Sequence, residues 1–265
     1  MRVHTLGSGD PEFAVVACLH GDELCGKNAI ERFLAAKIPV EKPLKLIIAN
    51  EEAIAEGERF LDEDLNRAFP GHENSESHED RLAAAVLDEL DGLQVLDLHS
   101  TVSFPEPFVF YHRLTSHTRR LLRATGLARA VNISHVGGGL INHVDGVAVE
   151  CGLKGSDEAS EHAYNVLVNF LASHRIIDHD HALSDPDVYR VTEVVPGAGY
   201  EFLGENFEEV EVGEVYATKD GEPEKVAGES FFPVLMSTGG YDHLIGFAAQ
   251  RLGALSSLED DPSDD

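Results

Sequence analysis

Short apolar runs alternate with helical periodicity along residues 1–175, and this alternation restricts the fold more than any other feature of the chain. FAVVACL at 13–19 precedes GKNAIERFLAA, in which apolar residues recur at helical spacing. Further apolar runs, followed or separated by amphipathic segments, are PLKLIIAN at 43–50, GLQVLDLHST at 92–101 and GVAVECG at 146–152. Alternation of this kind predicts an α/β fold with a sheet covered by helices on both faces.

Beyond residue 175 the pattern changes to short strand-like segments that are separated by glycine and proline. YRVTEVV, EEVEVGEVYAT and FFPVLM show no helical periodicity, and the chain ends in LSSLEDDPSDD. We therefore predict an α/β domain at 1–175, a small β-rich domain at 176–252 and an acidic disordered tail at 253–265.

The chain is strongly acidic, with 48 Asp and Glu residues against 20 Lys and Arg residues and a formal net charge of -28. Such a surface argues against nucleic acid and membranes as partners, because binding them relies on lysine and arginine neutralising phosphates. Molar salt shortens the Debye length to about 3 Å and screens the self-repulsion of so many carboxylates. The composition therefore predicts a halophilic host, with an acidic protein of a mesophile as the alternative.

The sequence also bears on the compartment of the protein. No apolar run approaches the length of about 20 residues that spans a bilayer, and MRVHTLGSGD lacks the apolar core of a signal peptide. Three cysteines are too few and too irregularly spaced for a disulfide framework. These features predict a cytoplasmic protein, and they leave open whether it forms a homo-oligomer.

Polar residues stand where two of the apolar runs end. His20 and Glu23 follow the first run, and His99 lies at the end of a later one. In an open α/β sheet, ligands bind outside the carboxyl ends of strands. Zinc binds imidazole nitrogen and carboxylate oxygen, and a catalytic zinc site uses three protein ligands. The alternatives are a polar turn that caps the next helix and a packed histidine with a satisfied ring, and Cys18 could replace the glutamate as a ligand.

Two arginines and one glutamate add chemistry to this cluster. Arg59 and Arg67 flank Asn66, and guanidinium groups bind carboxylates in a bidentate fork or stabilise a developing oxyanion. Glu150 lies at the end of an otherwise apolar run, where desolvation would raise its pKa and suit it to acid–base work. A surface ion-pair network and a strand-end glutamate with a salt bridge are the structural alternatives.

The motifs HGDE at 20–23, DLNR at 64–67, DLHST at 97–101 and VEC at 149–151 occur in this order. Together they resemble the succinylglutamate desuccinylase/aspartoacylase family, a branch of the zinc carboxypeptidase superfamily. The resemblance covers most of the first 175 residues. It implies a zinc carboxypeptidase-like mixed sheet with a small β-rich C-terminal domain, and one Zn²⁺ per chain bound by His20, Glu23 and His99.

The resemblance also implies roles for the residues around the zinc. Glu150 matches the general base, and Arg59 matches the arginine that polarises the scissile carbonyl. Asn66 and Arg67 match the pair that holds the free carboxylate of the substrate. Asp64 would orient a ligand histidine from the second shell of contacts.

Two positions match the family less closely. Tyr241 stands about where the aspartoacylase branch contributes a tyrosine from its C-terminal domain. That branch also has an arginine about ten residues before the catalytic glutamate, whereas residues 130–149 contain no arginine and Leu140 stands near this position. Specificity for N-acetylaspartate is therefore not expected unless another group supplies positive charge, the candidates being His135, His143 and Lys154.

The resemblance implies a zinc-dependent hydrolase that cleaves the amide bond of a small anionic N-acyl amino acid, releasing a carboxylate and a free amino acid. Residues 1–175 would then be the catalytic domain. A zinc carboxypeptidase acting on short peptides is an alternative, because it uses the same ligand chemistry. A non-catalytic, zinc-stabilised binding module is another, but it has no need for Glu150 and two arginines together.

Overall fold

A computed structural model describes residues 1–137, 139–238 and 243–261. Ten strands form one large sheet, and they are β1 (Arg2–Leu6), β2 (Phe13–Ala17), β3 (Leu44–Ile48), β4 (Gln94–Thr101), β5 (Phe108–Tyr111), β6 (Arg129–Asn132), β7 (Asp145–Leu153), β8 (Asp187–Pro196), β12 (Phe232–Val234) and β13 (Leu244–Ala254). A separate three-stranded sheet contains β9 (Glu201–Phe202), β10 (Val215–Lys219) and β11 (Glu222–Val226).

The helices lie almost entirely in the first 175 residues, as the apolar periodicity predicts. They are α1 (Cys25–Ala36), α2 (Glu51–Glu56), α3 (Leu65–Ala68), α4 (His78–Leu90), α5 (Ser116–Ala124) and α6 (Asp157–Ser173), with 3₁₀ turns at Leu140–Asn142 and Leu255–Ser257. The side chains of Ser77, Thr115 and Ser156 accept hydrogen bonds from the first turns of α4, α5 and α6. These caps satisfy backbone N–H groups that a helix start would otherwise leave unpaired.

The order of strands in the large sheet is β1-β3-β2-β4-β7-β5-β6-β8-β13-β12. The four central strands β3, β2, β4 and β7 run parallel, whereas β5 pairs with β7 in the antiparallel sense. The prediction of a mixed α/β sheet is therefore confirmed. The parallel pairing brings the carboxyl ends of β2, β4 and β7 to one edge of the sheet, where the polar motifs lie.

Helices cover both faces of the sheet, as predicted. On one face α1, α5 and α6 pack their apolar residues, such as Ile30 and Leu171, against β2, β4 and β7. On the other face α4 packs Leu82 and Val86 against Val16 of β2. The alternation of residues along each strand sends neighbouring side chains to opposite faces, so both cores draw on the same short apolar runs.

The C-terminal third of the chain is rich in strands, as predicted, but it contributes to both sheets. β8 pairs in parallel with β6, and β13 and β12 continue the large sheet from β8. The three-stranded sheet packs its own apolar cluster, which includes Val210, Ala217 and Phe231. The division of the chain into domains at residue 176 stays a prediction.

The prediction of a disordered tail from residue 253 is wrong for residues 253–261. Leu255 is fully buried in the main core, and Arg119 donates to its backbone oxygen at 2.6 Å. The same guanidinium binds Asp260 at 2.6 Å, and the backbone N–H of Asp261 donates to Leu114. An acidic composition suggested a solvated segment, whereas a buried leucine and an arginine of α5 hold it against the fold. Within the described ranges no helix is long and apolar enough to cross a bilayer.

Candidate active site

Three buried side chains meet at the carboxyl ends of the central strands. His20 and Glu23 lie in the turn between β2 and α1, and His99 lies in β4. One ligand atom from each residue lies within 4.8 Å of the others. Because β2 and β4 are parallel neighbours, their ends deliver these side chains to the same point. The structure therefore brings together the three residues for which the sequence predicts metal binding.

The two Nε2 atoms of the histidines face aspartates, and the two Nδ1 atoms face Glu23. His20 Nε2 lies 3.0 Å from Asp64 Oδ1, and His99 Nε2 lies 2.7 Å from Asp97 Oδ2. Ionised carboxylates only accept hydrogen bonds, so each Nε2 carries a hydrogen, and in the neutral ring that a metal requires each Nδ1 would present a lone pair. Asp97 belongs to the DLHST motif, and the sequence analysis did not assign it a role.

Both Nδ1 atoms point at one carboxylate. His20 Nδ1 lies 2.9 Å from Glu23 Oε1, and His99 Nδ1 lies 3.1 Å from Glu23 Oε2. Among the described residues, His20 Nδ1 is buried without a hydrogen-bond partner, whereas His99 Nδ1 is hydrogen-bonded to the carboxylate. A divalent cation among these atoms would be an electron-pair acceptor for both rings and the carboxylate. The His₂Glu donor set, with carboxylates holding the outer nitrogens, fits zinc.

Arg59 spans the ligand residues from the solvent side. Its Nη1 donates to Glu23 Oε1 at 2.6 Å, and its Nη2 lies 3.5 Å from Asp64 Oδ2. Nη2 also lies 3.0 Å from His20 Nε2. A guanidinium only donates and an ionised carboxylate only accepts, so His20 Nε2 cannot hydrogen-bond to both Arg59 and Asp64. Donation from His20 to Asp64 is the form that leaves Nδ1 free for a metal. The half-exposed guanidinium is thus fixed beside the cluster while still reaching solvent.

The loop at 58–64 that carries Arg59 is fixed from two sides. The backbone oxygen of Arg59 accepts from the N–H of Gly21 at 2.9 Å. A Cβ atom at Gly21 would lie 2.5 Å from the oxygen of Glu58, so only glycine allows this close approach. The ligand turn and the arginine loop are therefore packed backbone to backbone.

Glu79, at the start of α4, holds the other side of this loop. Its buried carboxylate accepts from the backbone N–H groups of Leu61 at 2.8 Å and Asp62 at 2.9 Å, and from Asn50 Nδ2 at 3.0 Å. Burial by itself would raise the pKa of Glu79, but the hydrogen bonds from the loop lower it. The sequence analysis missed this residue, because a glutamate in the first turn of a helix is ordinary.

Asp64 links the metal ligands to the residues predicted to bind substrate. It caps α3 by accepting from the N–H of Asn66 at 2.9 Å, while its other contact holds His20. Burial would raise the pKa of Asp64, but the bond to His20 and the charges of Arg59 and Arg67 hold it well below its usual range. Asp64 therefore contacts both His20 and the first turn of α3, and its role in orienting a metal ligand stays a prediction.

Asn66 and Arg67 lie on α3 beside this aspartate. Asn66 Oδ1 accepts from the N–H of Leu140 at 3.3 Å, which ties α3 to the loop before β7. Arg67 is exposed, and its one hydrogen bond, at 3.3 Å, is to the backbone oxygen of Asn66. Among the described residues it makes no ion pair, so its guanidinium is available to an anion from solution.

Glu150 lies on β7 directly beside His99, with which it forms a Cα pair in the parallel register. Its Oε2 is buried and has no hydrogen-bond partner. Burial raises the pKa of Glu150 to about 7, although the nearby charge of His99 acts in the opposite direction. A carboxyl group in this state can take up and return a proton near neutral pH.

Among the described residues, Lys154, Leu140 and the two nearby cysteines do not join the cluster. Lys154 is bound to Asp22 at 2.6 Å, and Leu140 is buried against the apolar residues of α3 and α4. Tyr241 lies outside the described residues. Cys18 and Cys25 are buried and donate to backbone oxygens, so the described cluster contains glutamate and no cysteine.

Comparison with known proteins is consistent with this geometry. The family model for the succinylglutamate desuccinylase/aspartoacylase catalytic domain matches residues 10–137. The chain is 32% identical to the succinylglutamate desuccinylase of Ectopseudomonas mendocina over 132 residues, which are 42% of this chain and 39% of that protein. It is 31% identical to the enzyme of Pseudomonas fluorescens over 131 residues, with the same coverage. The matched part is thus well under half the length of these relatives.

Solved structures share the fold over nearly the whole chain. A succinylglutamate desuccinylase/aspartoacylase from Rhodobacter sphaeroides superposes with a TM-score of 0.74 at 18% identity, covering 94% of this chain and 89% of that one. The ectoine utilization protein EutE (DoeB) of Ruegeria pomeroyi gives 0.74 at 20% identity, covering 96% and 88%. Murine aminoacylase 3 gives 0.69 at 17% identity, covering 92% and 97%. Residues 10–137 thus match the catalytic domain of the succinylglutamate desuccinylase/aspartoacylase family, and the chain as a whole shares the fold of solved members.

Proposed function

We propose that the chain is a zinc-dependent deacylase that hydrolyses the amide bond of an N-acyl amino acid to a carboxylate and a free amino acid. The observation that carries this proposal is the position of Glu150 beside the cluster of His20, Glu23 and His99. A proton acceptor with a raised pKa next to a three-ligand metal site is the arrangement that metal-assisted hydrolysis requires.

The protein side of the metal site has three ligands and two supporting carboxylates. His20, Glu23 and His99 would hold the ion, while Asp64 and Asp97 fix the ring orientation of the two histidines. When bound, zinc would supply a Lewis acid that makes water more acidic and polarises an acyl carbonyl. Such a site leaves a fourth position for water or substrate.

Glu150 would transfer the proton in both halves of the reaction. Its carboxylate accepts a proton from water as the water oxygen forms a bond to the acyl carbon. The carbonyl oxygen then carries negative charge, which Arg59, bound to Glu23 of the cluster, would stabilise. Glu150 next donates the proton to the amide nitrogen, the carbon–nitrogen bond breaks, and the amino acid leaves as a free amine. A raised pKa suits a group that must act first as base and then as acid.

Asn66 and Arg67 would hold the carboxylate of the amino acid portion. Arg67 is exposed and unpaired within the described residues, and a guanidinium binds a carboxylate through two parallel hydrogen bonds. Asp64 anchors α3 to the ligand His20, so the carboxylate site and the metal site are held in one frame. Fixing the substrate at both points aligns the acyl carbon with the attacking water.

The test is amine release from a panel of N-acyl amino acids, including N-acetylaspartate and N-succinylglutamate, by zinc-loaded protein in molar KCl. Hydrolysis of at least one member is expected. The matched control is Glu150→Gln, which should bind zinc with unchanged stoichiometry and lose turnover. Cleavage of unacylated short peptides, without hydrolysis of any N-acyl amino acid, would instead identify a carboxypeptidase. Turnover by the Glu150→Gln variant would remove Glu150 from its role.

A further inference from the structure

We infer that the preferred substrate carries a single carboxylate, the one bound by Arg67, and that its acyl group and side chain are uncharged and apolar. This inference rests on the proposed deacylase function and names the class of N-acyl amino acid that the site accepts. It follows from the charges and the apolar side chains that surround the metal cluster.

The cations beside the site are already matched by carboxylates, with one exception. Arg59 contacts Glu23 at 2.6 Å and lies within 4.0 Å of two further carboxylates. Lys154 contacts Asp22 at 2.6 Å. The described part of the chain contains all of its lysines and arginines. Among those near the cluster, Arg67 is the one that makes no ion pair. One free guanidinium provides for one substrate carboxylate.

A second carboxylate on the substrate would meet negative charge. Asp22 is bound to Lys154 at 2.6 Å and lies 3.9 Å from Arg59, so neither cation is left for a second substrate carboxylate. The loop that carries Arg59 also bears Glu58, Asp62 and Glu63, whose side chains are exposed. Like charges at such a site disfavour binding, and an unpaired carboxylate would also lose its hydration.

Large apolar side chains are exposed at positions that follow the cluster residues along the chain. Leu24 follows the ligand Glu23, and Phe60 follows Arg59. Val102 and Leu153 extend from the ends of β4 and β7, where Thr101 and Leu153 are Cα partners. The exposed fractions are 40% for Leu24, 36% for Phe60, 46% for Val102 and 39% for Leu153. We call these four residues the apolar rim. An apolar substrate group that covers the rim removes apolar surface from water, which favours binding, whereas a carboxylate there gains no such contact.

The experiment compares three substrates of nearly the same shape, N-acetylleucine, N-acetylasparagine and N-acetylaspartate, with zinc-loaded protein in molar KCl. High salt removes the long-range repulsion by the net charge, so the ranking reports the groups near the site. We expect kcat/KM to fall from leucine to asparagine to aspartate, by about tenfold or more between the first and the last. Equal or faster hydrolysis of N-acetylaspartate would overturn the inference.

A binding measurement separates this inference from the proposed function. Calorimetric titration of zinc-loaded Glu150→Gln protein with the same three compounds should give the same ranking of Kd. If the wild-type protein hydrolyses none of them but the ranking of Kd holds, the deacylase proposal fails and the preference for one carboxylate stands. If hydrolysis occurs and N-acetylaspartate binds most tightly, the deacylase proposal stands and the preference for one carboxylate fails. Absence of both hydrolysis and binding overturns both.

A charge-gain variant tests whether the apolar rim faces the substrate. Val102→Lys adds a cation at an exposed position, and Val102→Gln is the uncharged control of similar length. We expect the lysine variant to raise the kcat/KM of N-acetylaspartate relative to N-acetylasparagine several-fold, about as one added ion pair would, and the glutamine variant to leave the ratio unchanged. An unchanged ratio in both variants would place the rim away from the substrate and contradict the inference.

Discussion

Glu150 and His99 are Cα partners on the parallel strands β7 and β4, which puts a buried carboxyl oxygen beside a histidine of the metal cluster. The two residues are 51 positions apart in the chain, and only the pairing of the strands joins them. The neighbouring pair of β2 and β4 brings His20 to the same edge. The pairing of the strands therefore positions the residues for which metal binding and proton transfer are proposed.

The raised pKa of Glu150 predicts the acid side of the pH profile. The glutamate must be ionised to act as a base, so kcat/KM should rise with pH as Glu150 loses its proton. Burial raises its pKa to about 7 in the metal-free protein, and the positive charge of bound zinc should move the midpoint below that value. Measurements of kcat/KM between about pH 4.5 and 9 test the position of this midpoint. Glu150→Asp is the comparison variant, because it keeps a carboxyl group that can titrate. A rate that is flat down to the unperturbed pKa of a glutamate would contradict the prediction.

The carboxylates behind the ligand histidines predict a loss of zinc affinity. Asp97→Asn and Asp64→Asn each remove the negative charge that holds a ring N–H, and affinity should fall by about 10-fold to 100-fold. Competition with a chromophoric chelator measures this directly, without any substrate. Asp22→Asn is the matched control, because Asp22 lies in the ligand turn and contacts Lys154 and Arg59 but neither histidine. Equal losses in all three variants would mean that general charge, and not the hydrogen bonds, controls affinity.

The buried carboxylate of Glu79 predicts an effect on both stability and activity. Glu79→Gln replaces an acceptor oxygen by an NH₂ group that faces the backbone N–H groups of the arginine loop. The free energy of unfolding should fall by about 2 kcal/mol, as expected when buried donors lose their partner. Because the loop carries Arg59, kcat should fall as well, while zinc affinity changes little.

Denaturant titration and steady-state rates together test the role of Glu79. Glu76→Gln is the matched control, since Glu76 is exposed just before the same helix and its side chain makes no hydrogen bond or ion pair within the described residues. The free energy of unfolding and the kcat of this variant should equal the wild-type values. A Glu79→Gln protein with unchanged stability and unchanged kcat would show that the loop is held by other contacts.

The net charge of -28 predicts that activity rises with KCl. An anionic substrate is repelled over long range in dilute buffer, whereas at molar salt the Debye length of about 3 Å leaves only the groups at the site to act. The kcat/KM for one hydrolysed substrate should therefore increase from low to molar KCl. Sucrose in place of the salt is the control, because it stabilises folded proteins without screening charge. A highest rate at low salt would count against a halophilic host.

Apolar patterning and motif spacing were enough to predict the α/β fold and the residues of the proposed metal site. Apolar periodicity distinguishes strands from helices locally, and parallel strands necessarily bring their carboxyl ends to one edge. For this reason His20 and His99 were expected at one edge of the sheet, and the family resemblance added Glu23 as a ligand and Glu150 as the base. The motif order added the link to a family, which the match at residues 10–137 confirms.

Residues of the same type make different contacts, and those contacts depend on the tertiary structure. Arg59 and Arg67 have equal standing in the sequence, yet one is held by the carboxylates around the metal ligands and the other is unpaired within the described residues. Glu79 gains its importance only because α4 packs against the loop at 58–64, and Leu255 is buried only because the chain returns to α5. Contacts between residues far apart in the chain depend on how whole elements pack, and local composition and periodicity carry no information about that packing.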